Sequence, residues 1–449
     1  MAHASTLSSN SRFASTRTDM HVVVIGAGII GLTTAQALLE AGHAVTLVDR
    51  ADQAAQGTSA QNGGQLSYAY VAPLASPGTL RALPQLLLDP DSPLRIGAGA
   101  ALREWSWCLA FLQACRPSVV ERTTRTLLDL SERSRGRLER WLRNVDPQAI
   151  DFARNGKLVL SRSTASWRAA LRQVELQAPH GPAQQVLSPG QCLELEPALA
   201  GERESLSGGI YTPSEQVADC RKVCDLLLRQ LVEHPRFDVH WKAEAMHWEA
   251  AAGRVRALRA EVGGQVLRLQ ADAFVVAAGV GSPALVAPLG LRLPIIPLKG
   301  YSIELAGEHL RRMPGLSITD LSLKTVFAPL GDGPGRRLRV AGIVELVGQD
   351  ARLDPRRVRQ LVDAAAQAVG LRGRRPPLAE IRPWTGFRPA TPTGVPIIGP
   401  AEGYGNLYIN AGQGTLGFTH AFASADLIAG FVSGQPGLAR APATVALRA

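Results

Sequence analysis

Gly26, Gly28 and Gly31 stand in the spacing G-x-G-x-x-G directly after an apolar run, His21 to Ile25. Each glycine has a physical job at this spacing. Gly26 permits a tight turn, Gly28 lets the backbone approach a pyrophosphate, and Gly31 lets the following helix pack close to the strand. That helix, with Ile29 and Ile30 in its first turn, offers free N–H groups and a positive dipole end to phosphates. Asp49 closes the next apolar run 18 residues after Gly31 (49 − 31), with Arg50 beside it. Its carboxylate can accept hydrogen bonds from both ribose hydroxyls. The chemistry indicated is the binding of an adenine dinucleotide, NAD or FAD, with the reaction left open.

These residues need a frame. Val22 to Ile25 predict a buried parallel strand, Leu32 to Leu39 a helix that Gly42 ends, and Ala44 to Val48 a second strand. Further along, 151–170 and 205–212 read as strands and Ala218 to Leu231 as a helix. Asp238 to Trp248, Val255 to Leu258 and Gln265 to Leu269 read as short antiparallel strands. Phe274 to Ala277 forms an apolar strand, Arg292 to Leu305 and Arg337 to Gly348 two more, and Leu407 to Gly430 repeats strand, glycine turn and helix. Nucleotide-type turns at both ends of the chain predict a fold of α/β class. It has a discontinuous Rossmann-like domain (21–100, 205–285 and 395–435) and a second domain with a mainly antiparallel sheet (101–204 and 286–394). Residues 1–20 are polar, without the apolar core of a secretory leader, and read as a disordered tail.

Composition narrows the partners. The chain has 449 residues, 46% hydrophobic and 19% charged, so two folded domains are expected. The net charge of +10 comes from 43 arginines (48 basic residues less five lysines). No aromatic-basic interleaving points to nucleic acid, and the surplus reads as solvated surface. The five cysteines form no C-x-x-C pair and have no histidine at ligand spacing, so no metal site is expected. The segment Arg103 to Arg116 is rich in Trp, Leu and Phe. It suits either a membrane interface or packing on a neighbouring domain, and the second is preferred.

FAD requires more of a protein than NAD, because its isoalloxazine must also be held. The chain offers further pieces. Thr58, Ser59, Asn62, Gly63, Gly64 and Gln65 lie in one loop of donors and bare backbone. Ala278 and Gly279 end a strand that could lie beside the first turn, and Ala245 sits in the strand region after the second. Gly412, Gly414, Thr415, Leu416 and Gly417 form a turn opening a helix, whose N-terminus would stabilise negative charge on a reduced flavin. With TSAQNGGQLS, PLKGYS, AGIVELVG, WTGFRPATPTGVPIIG and NAGQGTLGFT, the chain resembles, from about residue 21 to 435, the FAD-dependent D-amino acid dehydrogenases of the D-amino acid oxidase family. The resemblance implies bound FAD, oxidative deamination of D-amino acids to 2-oxo acids, and electron transfer to a quinone or other electron-transport acceptor. It also implies a cytoplasmic protein, peripheral on the inner face of the cell membrane. Enzymes of the same fold that oxidise glycine, sarcosine, D-proline or D-hydroxyproline are the alternative.

Within that resemblance Arg388, followed by Pro389, becomes the residue to grip a substrate carboxylate through two parallel hydrogen bonds. Tyr301 is expected to turn its hydroxyl toward the substrate. Lys299 is either structural or near the flavin. No histidine or carboxylate is required as base if the substrate amine arrives neutral. In the family the C-terminal turn commonly reads G-H-G-T-L-G; here Gln413 stands at the histidine position and cannot carry charge.

Overall fold

The computed structural model describes residues 19–81, 92 and 94–435. The tail reading for 1–18 therefore lies outside the described residues.

Six strands form the nucleotide sheet, in the order Ile397–Pro400, Leu407–Ala411, Ala273–Val276, His21–Ile25, Ala44–Val48 and Phe237–His240. All neighbours are parallel except the outermost pair, Ile397–Pro400 with Leu407–Ala411. Successive side chains point to opposite faces, and both faces are covered. Val22, Val24, Val45 and Leu47 pack on the helices Ile29–Glu40, Cys220–Val232, Gly417–Val432 and Pro117–Leu142. Val23, Ile25, Phe274 and Val276 pack on an antiparallel hairpin sheet, Glu244–Ala251, Arg254–Val262 and Gln265–Leu269. Burial on both sides explains why these strands read as unbroken apolar runs. The helix Gly417–Val432 is buried nearly all round; together with the turn before it, Gly414–Val432 is long and apolar enough to cross a membrane by length and composition alone.

The second sheet runs Trp384–Ala390, Ile296–Ala306, Arg337–Leu346, Thr325–Leu330, Ser317–Asp320, Lys157–Ser161, Gly208–Thr212 and Gln185–Leu187. Leu94–Ile96 is added beside Arg337–Leu346. The sheet is mainly antiparallel. One face carries the helix Pro355–Val369, which Asp354 caps by accepting from Arg356 N at 2.8 Å. The other face looks toward the nucleotide half.

Five segments depart from the expected organisation. Residues 164–170, read as strand, open the helix Thr164–Gln177, which Ser163 caps. Gly208–Thr212 pairs with Lys157–Ser161 in the second sheet, not with the nucleotide half. Leu94–Ile96 does likewise. The long helix Pro117–Leu142, expected in the second domain, lays Leu130, Leu138, Trp141 and Leu142 into the nucleotide core. The Asp238 to Trp248 reading splits in two. Phe237–His240 extends the parallel sheet, and the hairpin begins only at Glu244 after Lys242 turns the chain at φ +56. Strand type says little about partners, because pairing is set by what lies across the ladder.

Candidate active site

The first glycine turn closes as its residue types demand. Gly26 adopts φ +115, and a Cβ there would lie 2.5 Å from the Ala277 carbonyl oxygen. A Cβ on Gly31 would lie 1.7 Å from the Gly26 oxygen. Helix Ile29–Glu40 starts at Gly28, which has no side chain to cap it, and carries no acid in its first turn, so its positive end meets no charge of its own. Ser59 Oγ accepts from Ile29 N at 3.0 Å and holds the donor loop against the helix start. Asp49 accepts from Ala27 N at 2.5 Å and Ala51 N at 2.8 Å, which ties the acid to the turn. Arg50 beside it is exposed. Lys242 N and Ala243 N donate to the Ala51 and Asp49 carbonyls, so the backbone leading to Ala245 runs beside the acid.

The donor loop is fastened to the second sheet at each step. Thr58 Oγ1 donates to the Phe387 carbonyl. Ser302 Oγ donates to the Gln61 carbonyl at 2.9 Å, and Arg339 Nη1 to the Asn62 carbonyl at 3.4 Å. Asn62 Oδ1 accepts from Gly64 N within its own turn. Gly63 and Gly64 pack on Val326, Ala328 and Leu330. Gln65 is a correction: its amide donates to Ser317 Oγ and the Ile318 carbonyl, so its side chain is bound into the second sheet. Gln61, which the sequence reading passed over, keeps a buried Oε1 with no hydrogen-bond partner. A buried acceptor left open in this loop is the signature of a missing donor.

The strand Ile296–Ala306 acts as a ruler. Leu298, Gly300, Ser302 and Glu304 alternate onto the face toward the nucleotide half. Glu304 meets Arg339 and Arg337, Ser302 meets the donor loop, and Gly300 lies under Arg388. A Cβ on Gly300 would stand 2.4 Å from the guanidinium carbon of Arg388. Only glycine leaves room for the flat group to lie on the strand, and a lone glycine inside a strand pattern was the available signal. Trp384 lies along the neighbouring strand, its indole over Gly386, where a Cβ would come within 2.1 Å of the ring. That glycine makes room for an indole.

Arg388 donates to the Ile343 carbonyl at 2.9 Å and the Gly342 carbonyl at 3.4 Å. Both oxygens sit at a bulge. The ladder slips between Lys299↔Glu345 and Tyr301↔Gly342, placing two residues opposite one, and Ile343 takes φ +62. A β-branched residue in that region is strained, and the kink re-aims carbonyls toward the guanidinium. Among the described residues no carboxylate pairs with Arg388, whereas Arg162, Arg337, Arg339 and Arg357 each meet a buried acid. Burial pushes the Arg388 pKa down to about 10. A half-buried cation held only by neutral dipoles is a receptor for a carboxylate.

Tyr301 is the second correction. It lies on the opposite face of the strand, 1% exposed, and donates to Glu345 Oε2 at 2.9 Å. Burial, then Glu345, pushes its phenol up. Glu345 also accepts from Arg357 Nε at 2.8 Å, so Tyr301 belongs to the packing beneath Pro355–Val369. Lys299 shares that face and donates to the Arg352 carbonyl, a structural role.

At the other end Ala278 and Gly279 follow the strand beside Gly26. Gly412, Gly414, Thr415, Leu416 and Gly417 lead into Gly417–Val432, with Thr415 exposed. A ladder bridge from Ala390 to Gln413 sets this turn two residues from Arg388. Gln413 donates to Asn410 Oδ1 at 2.8 Å, and Asn410 to Thr34 Oγ1 at 3.0 Å, so its side chain braces the first helix. The capless helix start, the open Gln61 acceptor and the second glycine turn surround one side of Ile296–Ala306. They fit an extended dinucleotide whose ring end reaches Arg388.

Known proteins share this plan. The family model for FAD dependent oxidoreductases, DAO, matches residues 21–430. D-amino acid dehydrogenase 2 of Ralstonia nicotianae is 45% identical over 95% of this chain and 100% of its own length. D-amino acid dehydrogenase 2 of Pseudomonas aeruginosa is 42% identical, over 92% and 95%. Among solved structures, L-proline dehydrogenase from P. horikoshii superposes with a TM-score of 0.69 at 16% identity, over 94% and 95% of the two chains, a likeness of fold.

Proposed function

The chain belongs to the DAO family of FAD-dependent oxidoreductases, and from that premise we propose that it deaminates D-amino acids oxidatively. The products are the 2-oxo acid and ammonia. The single observation that carries the substrate class is Arg388, half-buried and, among the described residues, without an acid partner. The relatives at 45% and 42% identity, D-amino acid dehydrogenases by name, supply the rest.

FAD, when bound, would supply the two-electron acceptor for oxidation of the substrate's Cα–H bond. The chain's residues prepare that oxidation. Gly26, Gly28, Ile29, Ile30 and Gly31 would hold the pyrophosphate, and Asp49, with Arg50 and Ala245 near it, the adenosine end. Thr58, Ser59, Asn62, Gly63, Gly64, Ala278 and Gly279 would line the ring's path, with Gly412, Gly414, Thr415, Leu416 and Gly417 at its far side. Gln61 joins them, its unpartnered Oε1 being free to accept a hydrogen bond from the cofactor. Arg388 orients the substrate carboxylate. Gln61 and Arg388 meet the strand at Ser302 and Gly300, one alternate step apart, about 7 Å, so the amino acid's Cα falls between carboxylate receptor and donor loop. Such positioning is worth several kcal/mol of barrier. Among the described residues no carboxylate is paired with Arg388 to act as base, and the neutral amine needs none. Water then hydrolyses the imine.

Electrons leave, in this reading, to a quinone or other electron-transport acceptor, and the protein works in the cytoplasm against the inner face of the cell membrane. The test is a panel of D- and L-amino acids with dye reduction, run in air and under nitrogen. D-specific dye reduction indifferent to oxygen is expected. Turnover of glycine, sarcosine or D-proline alone, with oxygen consumed, would replace it with the oxidase alternative.

A further inference from the structure

Two flat side chains tile the sheet where the strands Ile296–Ala306 and Trp384–Ala390 run side by side. Gly300 stands directly opposite Gly386, with Ser302 opposite Trp384 and Leu298 opposite Arg388. Opposite residues share a face, and alternation puts Trp384, Gly386 and Arg388 on it together. A Cβ on Gly386 would lie 2.1, 2.5 and 3.0 Å from three atoms of the Trp384 indole, and one on Gly300 2.4 Å from the Arg388 guanidinium carbon. Opposite Cβ positions are about 5 Å apart, so indole and guanidinium are neighbours, each resting on a glycine. Among the described residues no cation–π contact joins them, so the ring lies beside the guanidinium and not over it. Trp107, Trp141 and Trp248 each pack in an apolar cluster and donate an indole N–H. Trp384 is half-buried, yet among the described residues it enters no apolar cluster and stacks on no other ring.

A tryptophan alone on a surface means little; one beside a carboxylate receptor is placed to be covered when the receptor is filled. The side chain of an amino acid begins next to its carboxylate, so a substrate gripped by Arg388 sets that side chain down close to the guanidinium. Leu298 is closed to it, 6% exposed and packed with Trp107, Ile296 and Ala390. On the side of the bulge stand the Gly342 and Ile343 carbonyls, which already accept from Arg388. The indole is the apolar surface left beside the receptor. We propose that Trp384 is the seat of the substrate's side chain and selects apolar ones, a specificity that rests on the amino-acid reading above. An indole face is broad, rigid and apolar, with the negative side of its quadrupole turned outward. An aliphatic or aromatic side chain gains burial against it. An amide or a carboxylate loses water there and finds no donor in the ring face.

The test uses the FAD-loaded full chain and a nearly isosteric pair of substrates, D-leucine and D-asparagine. Wild type is expected to favour D-leucine in kcat/KM. Trp384→Ala should lower the leucine-to-asparagine ratio about tenfold or more, and Trp384→Phe, which keeps a ring, should lower it less. Gly386→Ala leaves the indole in the chain but pushes it off the strand, and should lower the ratio too. An equal loss for both substrates overturns the proposal, since the indole would then only prop Arg388. Loss of flavin absorbance from purified Trp384→Phe also overturns it, because the ring would then belong to the cofactor. The same preference is read without turnover from 4-methylpentanoate and succinamate, the two substrates without their amines, titrated against the flavin spectrum. Wild type should bind the first about tenfold more tightly, and Trp384→Ala should not. If that binding preference holds while wild type oxidises no D-amino acid, the functional reading fails and the side-chain seat stands. Turnover of D-amino acids with no preference within either pair sinks the seat and leaves the functional reading intact.

Discussion

Arg339 and Arg388 lie over the same face of the same sheet and are surrounded in opposite ways. Arg339, 2% exposed, donates to Glu304 Oε1 at 2.5 Å and Asp219 Oδ2 at 3.0 Å. Arg337 beside it meets the same two acids and Asp151. Asp219 also caps the helix Cys220–Val232, so this cluster joins the two halves through paired charge. Arg388, at the other end of the strand Ile296–Ala306, faces only the carbonyls of Gly342 and Ile343. One site is closed and structural, the other open and receptive. Burial lowers the pKa in both places, but at Arg337 Glu304, Asp219 and Asp151 more than reverse it, while at Arg388 nothing does. The acid partner, not the arginine, separates scaffold from site.

The same substitution at the two positions should therefore fail differently. Arg388→Met should lower kcat/KM for D-amino acids by about a thousandfold or more, the scale of losing a bidentate charge-assisted grip and the orientation it gives. Flavin absorbance and Tm should hardly change, and a normal rate would end the receptor assignment. Arg339→Met leaves buried Glu304 and Asp219 short of a partner. It should destabilise by about 3 kcal/mol or more, read in denaturant melts, with turnover per folded molecule little altered. A large catalytic loss with unchanged stability would erase the contrast.

Gly300→Ala sharpens it. The new methyl must displace the Arg388 guanidinium, so KM should rise about tenfold or more while kcat falls less; this assumes that the lost grip is mainly one of binding. An unaltered KM would mean that the guanidinium does not rest on the strand. In pH profiles, kcat/KM should rise as the substrate amine loses its proton and fall again near pH 10, where free Arg388 deprotonates. The sign is set by charge: the receptor is cationic below that pKa and neutral above it. A flat profile across the amine titration contradicts the neutral-amine reading. The smallest effect is expected of Tyr301→Phe, which removes one buried hydrogen bond to Glu345 and about 1 kcal/mol of stability, with kcat/KM within a few-fold of wild type. A drop of a hundredfold would return Tyr301 to the site.

Much was legible beforehand because it is local. A β-branched run, a glycine turn and an apolar helix fold the same way wherever they are placed, so the segment from His21 to Asp49 was readable to within three residues at each element's ends. The wide separation of the glycine turns in the chain likewise implied a discontinuous nucleotide domain, and the sheet is indeed drawn from several separate stretches. Gly208–Thr212 and Phe237–His240 were misplaced because a short strand carries no mark of its neighbour.

By itself, then, the sequence determined the nucleotide turn, the alternation of layers and the presence of a guanidinium fit to bind a carboxylate. It could not say that Arg388, among 43 arginines, is the half-buried one set against carbonyls instead of an acid, since ion pairing joins residues as distant as Asp219 and Arg339. Nor could it say which way Tyr301 faces. Alternation along a strand assigns every second residue to one side but not which side, and a one-residue slip reverses the assignment. The packing of Ile296–Ala306 against Pro355–Val369 turned Tyr301 inward, the bulge at Ile343 turned carbonyls toward Arg388, and Gly300 left room for the guanidinium to lie there.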